Sequence, residues 1–91
     1  MNACIASHRI MVDGMSVGYC YREGPEFEGD SGWRFLSGDE SEEYMEEPEH
    51  HSIYECNAVA ERDPEVLPLL IAPVGSAFQR QGKKNLLKAI Q

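Results

Sequence analysis

Apolar and polar positions alternate with a period of two from Ala6 to Val12 and again from Met15 to Tyr21, and Asp13-Gly14 lies between the two runs. Asp-Gly is a strong two-residue hairpin signal, because a type I′ turn needs positive φ at both central positions. Fixing the turn fixes the register. The spacing therefore predicts an N-terminal β-hairpin in which Val12 faces Met15, Ile10 faces Val17, His8 faces Tyr19 and Ala6 faces Tyr21 on an apolar side. Ser7, Arg9, Met11, Ser16, Gly18, Cys20 and Arg22 fall on the other, mostly polar side.

Residues 23–31, rich in glycine and acid with one proline, read as a loop anchored by Phe27. A third strand is expected over residues 32–37, with Trp33 and Phe35 on one face and Arg34 and Leu36 on the other. Asp39 stands three residues before Glu42, the spacing of a capping box, so a short helix over residues 41–47 is expected, stopped by Pro48. Ile53-Tyr54 suggests a short strand or packing segment, and Asn57 caps a turn running to Arg62 that buries Val59 and Ala60. Asp63-Pro64 starts another turn, with Asp as cap and Pro at the first helical position. Pro68 ends it early, which sends Leu67, Leu69, Leu70 and Ile71 to the core. Residues 73–78 read as a closing strand, and the tail from residue 83 places Leu86, Leu87 and Ile90 on one helical side. The expected fold class is α+β: a small antiparallel sheet starting with the N-terminal hairpin, with short helices packed on it. It forms one domain over residues 1–80, followed by a basic, helical tail over residues 81–91.

Length limits the chemistry such a domain supports. A chain of 91 residues hides only roughly 60–65% of its unfolded surface, so its core is thin and its stability modest. No apolar run reaches the roughly 18–20 residues that cross a bilayer, and Met1-Asn2-Ala3-Cys4-Ile5 does not read as a signal peptide, so a cytoplasmic protein is expected. Cys4, Cys20 and Cys56 match neither a zinc pattern nor a redox pair and read as small apolar fillers in a reducing compartment.

Charge narrows the partners. Sixteen acids against eight bases give −8, which opposes phosphate backbones and anionic membrane surfaces and favours a basic protein partner. Fifteen of the acids lie between Glu23 and Glu65; residues 39–49 alone carry Asp39, Glu40, Glu42, Glu43, Glu46, Glu47 and Glu49 with no base. The last four bases, Arg80, Lys83, Lys84 and Lys88, sit in a stretch without acid. Glu46 and Glu47 at the far end of the predicted helix oppose its dipole, which suits an exposed or partner-covered face.

Catalytic patterns are weak by comparison. His50 and His51 are adjacent and point apart, which makes them a poor metal-ligand pair, and no calcium-loop spacing is present, so no metal and no cofactor is expected. Ser31, Ser37, Ser41 and Ser76 lack a nucleophile-elbow setting. Solvated acids on a short segment do not acquire the shifted pKa values of acid–base catalysis, so an enzyme is not expected.

The order of residues carries more. The run Asp30-Ser31-Gly32-Trp33-Arg34-Phe35-Leu36-Ser37-Gly38-Asp39-Glu40, preceded by Val17-Gly18-Tyr19-Cys20-Tyr21-Arg22-Glu23, is followed by Glu43-Tyr44-Met45, Ile53-Tyr54, Asp63-Pro64 and Leu69-Leu70 ahead of residues 73–78. Over about residues 4–80 this resembles the bacterial immunity-protein family thirty-three of polymorphic toxin systems, most specifically in Asp-Ser-Gly-Trp-Arg-Phe with Ser-Gly-Asp. The resemblance implies a small cytosolic α+β protein that binds and neutralises a cognate toxin domain. The end departs from it: a basic tail, Lys83-Lys84-Asn85-Leu86-Leu87-Lys88, replaces an acidic or strand-like finish. Joined with the clustered charge, the reading is occlusion of a basic toxin surface by Asp39, Glu40, Glu42, Glu43, Glu46 and Glu47, with Trp33 and Arg34 as anchors, in a monomer or weak homodimer. The alternatives are a cytoplasmic regulatory or ligand-binding module without a toxin partner, and a hydrolase acting through carboxylates or His50.

Overall fold

The structure, a computed structural model, describes residues 2–80 and 87–90. Its first departure from the sequence pattern comes at once. β1 (Ala3–Ser7) runs straight into α1 (His8–Met11), with Ser7 as N-cap accepting the Arg9 N–H at 3.1 Å. Asp13-Gly14 ends this turn of helix rather than making a hairpin: the Val12 and Asp13 N–H groups return to the His8 carbonyl and the Gly14 N–H to that of Ile10. Gly14 has φ of 80°, but no non-glycine residue among those described has positive φ, so Asp13 does not supply the first half of a type I′ turn. The expected hairpin is therefore absent. A capped helical turn with glycine past its end uses the same dipeptide.

Residues 12–18 then lead into β2 (Tyr19–Arg22), followed by β3 (Asp30–Leu36), α2 (Glu42–Glu46), β4 (His51–Glu55), α3 (Cys56–Arg62), β5 (Ala77–Arg80) and β6 (Leu87–Ala89). Short 3₁₀ turns cover Pro48–His50 and Pro64–Leu69. Among the described residues the strands form one sheet in the order β4-β1-β3-β2-β5-β6. The fold is α+β, as the element pattern implied, but the sheet is mixed. β1 lies parallel to β3, and every other pairing is antiparallel. The tail meets the sheet as a strand at Leu87–Ala89 rather than as a helix; residues 81–86, including Leu86, and residue 91 lie outside the described residues.

One face of this sheet holds the core. Cys4 and Ala6 of β1, Cys20 of β2 and Trp33 and Phe35 of β3 are buried against Ile10 of α1, Val59 and Ala60 of α3, and Val66. The period-two reading of Trp33 and Phe35 holds: the rings stack with centroids 5.7 Å apart, and the indole N–H donates to the Leu70 carbonyl at 3.3 Å. Asp63 caps the Pro64–Leu69 turn at the Glu65 N–H, as expected, and also accepts from the Val17 N–H at 3.0 Å and from Arg80 at 2.7 Å. That carboxylate ties the irregular segment before β2 to the far side of the chain. The apolar run after it does not go inside as a block. Val66 is buried and Leu69 and Leu70 are partly buried, whereas Leu67 and Ile71 are 56% and 90% exposed. A 3₁₀ turn with a proline at each end aims only every third residue at the sheet.

Candidate partner-binding surface

The helical layer formed by α1, α3 and Pro64–Leu69 packs on one side of the sheet, and among the described residues the opposite side is left partly open, with Met45 and Pro48 at its margin. Register places Ile5 beside Ile53 and Arg34, Tyr21 beside Arg34, and Tyr19 beside Leu36, all on this second side. Strand alternation makes the two sides complementary: Cys4, Ala6 and Cys20 face the core, so Ile5, Tyr19 and Tyr21 face away from it. The result is a hollow of about 390 Å³ with Ile5, Tyr21, Leu36, Met45, Pro48 and Ile53 among its walls. Ile53 is 60% exposed and Met45 42% exposed, so water covers much of their apolar surface. The two tyrosine rings stand 5.6 Å apart along one edge. His51 also lines the hollow; its Nε2 is buried without a hydrogen-bond partner among the described residues, and burial holds its pKa below the usual imidazole range.

Arg34 forms the floor, and a bulge puts it there. A step of two residues on β1, Ala3 to Ile5, is matched by a step of four on β3, Asp30 to Arg34. The slack is taken up at Gly32, whose φ is +92°; a Cβ there would lie 2.0 Å from the Glu23 carbonyl oxygen. In a regular strand, residues four apart are about 13 Å apart. Here Asp30 receives both Nη atoms of Arg34, at 3.0 and 2.8 Å, together with the Gly32 and Glu26 N–H groups at 2.8 Å each. Arg34 Nε donates to Glu23 at 2.7 Å, and Glu26 stands 3.8 Å from Nη2. The Arg34 hydrogen bonds outweigh the cost of burial and hold the Asp30 carboxyl well below the usual range; the same pair raises the Arg34 pKa. Burial, joined by the nearby Glu23 charge, raises that of Tyr21.

Two residues expected as surface anchors thus have interior roles. Trp33 is 1% exposed on the core side, so it has no surface to offer. Arg34 is 5% exposed with its donors committed, and contributes to the hollow only as its charged floor. Asp39 does not cap α2. It pairs with Arg9 at 2.5 Å and accepts from the Ser37 hydroxyl, contacts that hold its pKa near 2. Glu40 accepts from the backbone N–H groups of Ser37 and Gly38, at 2.8 and 2.9 Å. Both therefore brace the β3–α2 turn.

The cap of α2 is Ser41, which accepts the Tyr44 N–H at 3.1 Å. Glu42 and Glu43 sit in its first turn, where the exposed N–H groups favour negative charge. Tyr44 stacks on His50 with centroids 3.9 Å apart, and His50 Nδ1 lies 3.0 Å from the Tyr44 carbonyl oxygen. Glu43, Glu46 and Glu47 border a shallow depression around that stack. Among the described residues none of Glu42, Glu43, Glu46 and Glu47 forms an ion pair. Of the eight predicted contact residues, these four remain as a bare acidic edge, and α2 sets Met45 between them at the rim of the hollow.

Sequence reasoning missed the apolar part of this surface: Ile5, Tyr21, Met45 and Ile53. Ile5 and Ile53 meet only through the long-range β1–β4 pairing, Tyr21 lies in a strand expected to pair within a hairpin, and Met45 comes from α2. Among the described residues no three His, Cys, Asp or Glu side chains gather closely enough to hold a metal ion, and no helix is long and apolar enough to cross a membrane. His8, once paired with Tyr19, instead lies 2.7 Å from the Ser52 hydroxyl.

No curated protein and no solved structure matches the chain. The family model for the immunity protein Imm33 domain matches residues 4–90, so it takes in the strand-like finish at Leu87–Ala89 as well as the Asp30–Leu36 bulge. On that match over almost its whole length, the chain belongs to the Imm33 immunity protein family.

Proposed function

We propose that the protein binds a cognate bacterial toxin domain in the cytoplasm and neutralises it by occlusion, without chemistry of its own. The observation that carries this reading is the family match joined to an exposed row of carboxylates, Glu42, Glu43, Glu46 and Glu47, without ion pairs among the described residues, in a chain of net charge −8. Such a row steers a basic surface into contact and suppresses encounters with acidic ones. The partner is thus a basic toxin, and the protein meets it as a monomer or a weak homodimer.

Co-expression with any toxin domain encoded beside it is the test. Growth should be rescued and the two chains should co-elute from a sizing column. Reversing the four glutamates to lysine should slow association at least tenfold and flatten its dependence on salt. No rescue and no complex would end this reading.

A further inference from the structure

We propose that the open side of the sheet is the anchor site for the toxin, and that it takes an apolar side chain flanked by a lysine or arginine. This rests on the toxin-binding reading above and assigns its energetic centre to the hollow between β4, β3 and α2. The acidic row then supplies encounter rate, and the hollow supplies most of the lasting affinity.

Large apolar side chains left in water on a concave face mark a recognition surface more strongly than scattered ones do. Ile5, Leu36, Met45 and Ile53 meet at one depression, and its volume of about 390 Å³ is at the low end of the roughly 300–1,000 Å³ that enclose a small ligand. Binding hot spots are side chains seated in such pockets with water excluded around them. Electrostatics then selects the neighbour of that side chain. The one cation at the floor, Arg34, faces Asp30, Glu23 and Glu26, so the depression presents net negative charge despite its arginine. The Asp30 side chain is fully enclosed, while that of Glu26 is 59% exposed and, among the described residues, held by the long 3.8 Å approach to Arg34. An anionic ligand is repelled there. A lysine or arginine beside the inserted side chain meets Glu26 directly, and meets the exposed glutamates of α2 across the Met45 rim. Apolar seat and acidic rim thus converge on the same type of protein segment.

The probe is any toxin domain encoded beside this chain's gene, titrated calorimetrically against the full chain at near-physiological salt. Ile53→Glu and Met45→Glu should each weaken binding roughly thirty-fold, the size of a hot-spot loss. Glu26→Lys should weaken it several-fold. Ile71→Glu, equally drastic but on the far side of the molecule, should leave affinity unchanged. Melting curves should show all four variants folded, since each altered side chain is exposed. Wild-type binding that survives both Ile53→Glu and Met45→Glu would overturn the anchor site while leaving toxin binding intact. A wild type that fails to bind the domain at all would overturn both. Sedimentation supplies a third arm: self-association that Ile53→Glu abolishes, with toxin affinity unchanged, would make this a face between two copies and overturn the proposal.

Discussion

Replacing Asp30 by Asn removes one charge from the interior and leaves the side-chain volume nearly unchanged. The Asp30 side chain is wholly enclosed and balances Arg34, which is itself 6% exposed at the side chain. Removing one member of a buried pair typically costs about 3–5 kcal/mol, because the other is left uncompensated. Arg34 keeps Glu23 at 2.7 Å and the Trp33 carbonyl at 2.9 Å, so the lower end, about 3 kcal/mol, is expected. A chain of 91 residues has roughly 5–14 kcal/mol in total, and a loss of this size lowers the Tm of a domain this long by roughly 12–24 °C. Urea titration at pH 7, followed by the fluorescence of Trp33 and by circular dichroism, measures it. The folded-state pKa of Asp30 is depressed, so its contribution is present above the unfolded value of about 4 and is lost as pH falls below that through the folded value. The acid limb of the wild-type stability curve should therefore be steeper than that of D30N. The double variant Asp30→Leu with Arg34→Met should recover only part of the loss: it leaves no charge behind, but it strips the Glu26 and Gly32 N–H groups of their acceptor. A D30N cost under about 1 kcal/mol, with an unchanged acid limb, would refute the claim that the bulge is held by this pair.

The remaining predictions concern the backbone at β3 and the start of the chain. Gly32→Ala should destabilise by at least about 2 kcal/mol, since φ of +92° is joined to a Cβ position 2.0 Å from the Glu23 carbonyl. Gly14→Ala, at φ of +80° with open space around it, should cost only about 1 kcal/mol; the two urea midpoints check both. Ile10→Ala should cost about 2–5 kcal/mol, because Ile10 is fully buried, whereas Val12→Ala at 68% exposure should be close to neutral by the same titration. A hairpin with Ile10 and Val12 on one apolar side would instead give two comparable losses.

Period-two reading worked where sheet pairing and side-chain pattern agree, as at Trp33 and Phe35. It failed at residues 6–21 because Asp-Gly serves both a type I′ turn and the end of a capped helix, and Ser7 selects the helix through its hydroxyl. Ile10 and Val17 are buried as the hairpin required, so burial alone could not distinguish the two pairings. Arg34 was legible as the opposite face to Trp33, but its burial was not, because a regular strand keeps Asp30 out of reach and only the Gly32 bulge closes the gap. The run Asp-Ser-Gly-Trp-Arg-Phe is thus explained by structure: carboxylate, kink, core ring, buried cation. The acidic stretch was legible as charge, but local chemistry divides it. Asp39 and Glu40 spend their oxygens on Arg9 and the Ser37 turn, whereas among the described residues Glu42, Glu43, Glu46, Glu47 and Glu49 form no ion pair. Ile5 and Ile53 come together through the β1–β4 pairing, a long-range contact that no local pattern encodes.

Amide hydrogen exchange of the protein with and without its neighbouring toxin domain reports directly on the docking face. The account predicts slowed exchange in the complex over residues 21–26 and 42–54, which border the hollow and carry the acidic edge. Protection confined to α3 and the Pro64–Leu69 turn, on the opposite side of the sheet, would contradict it.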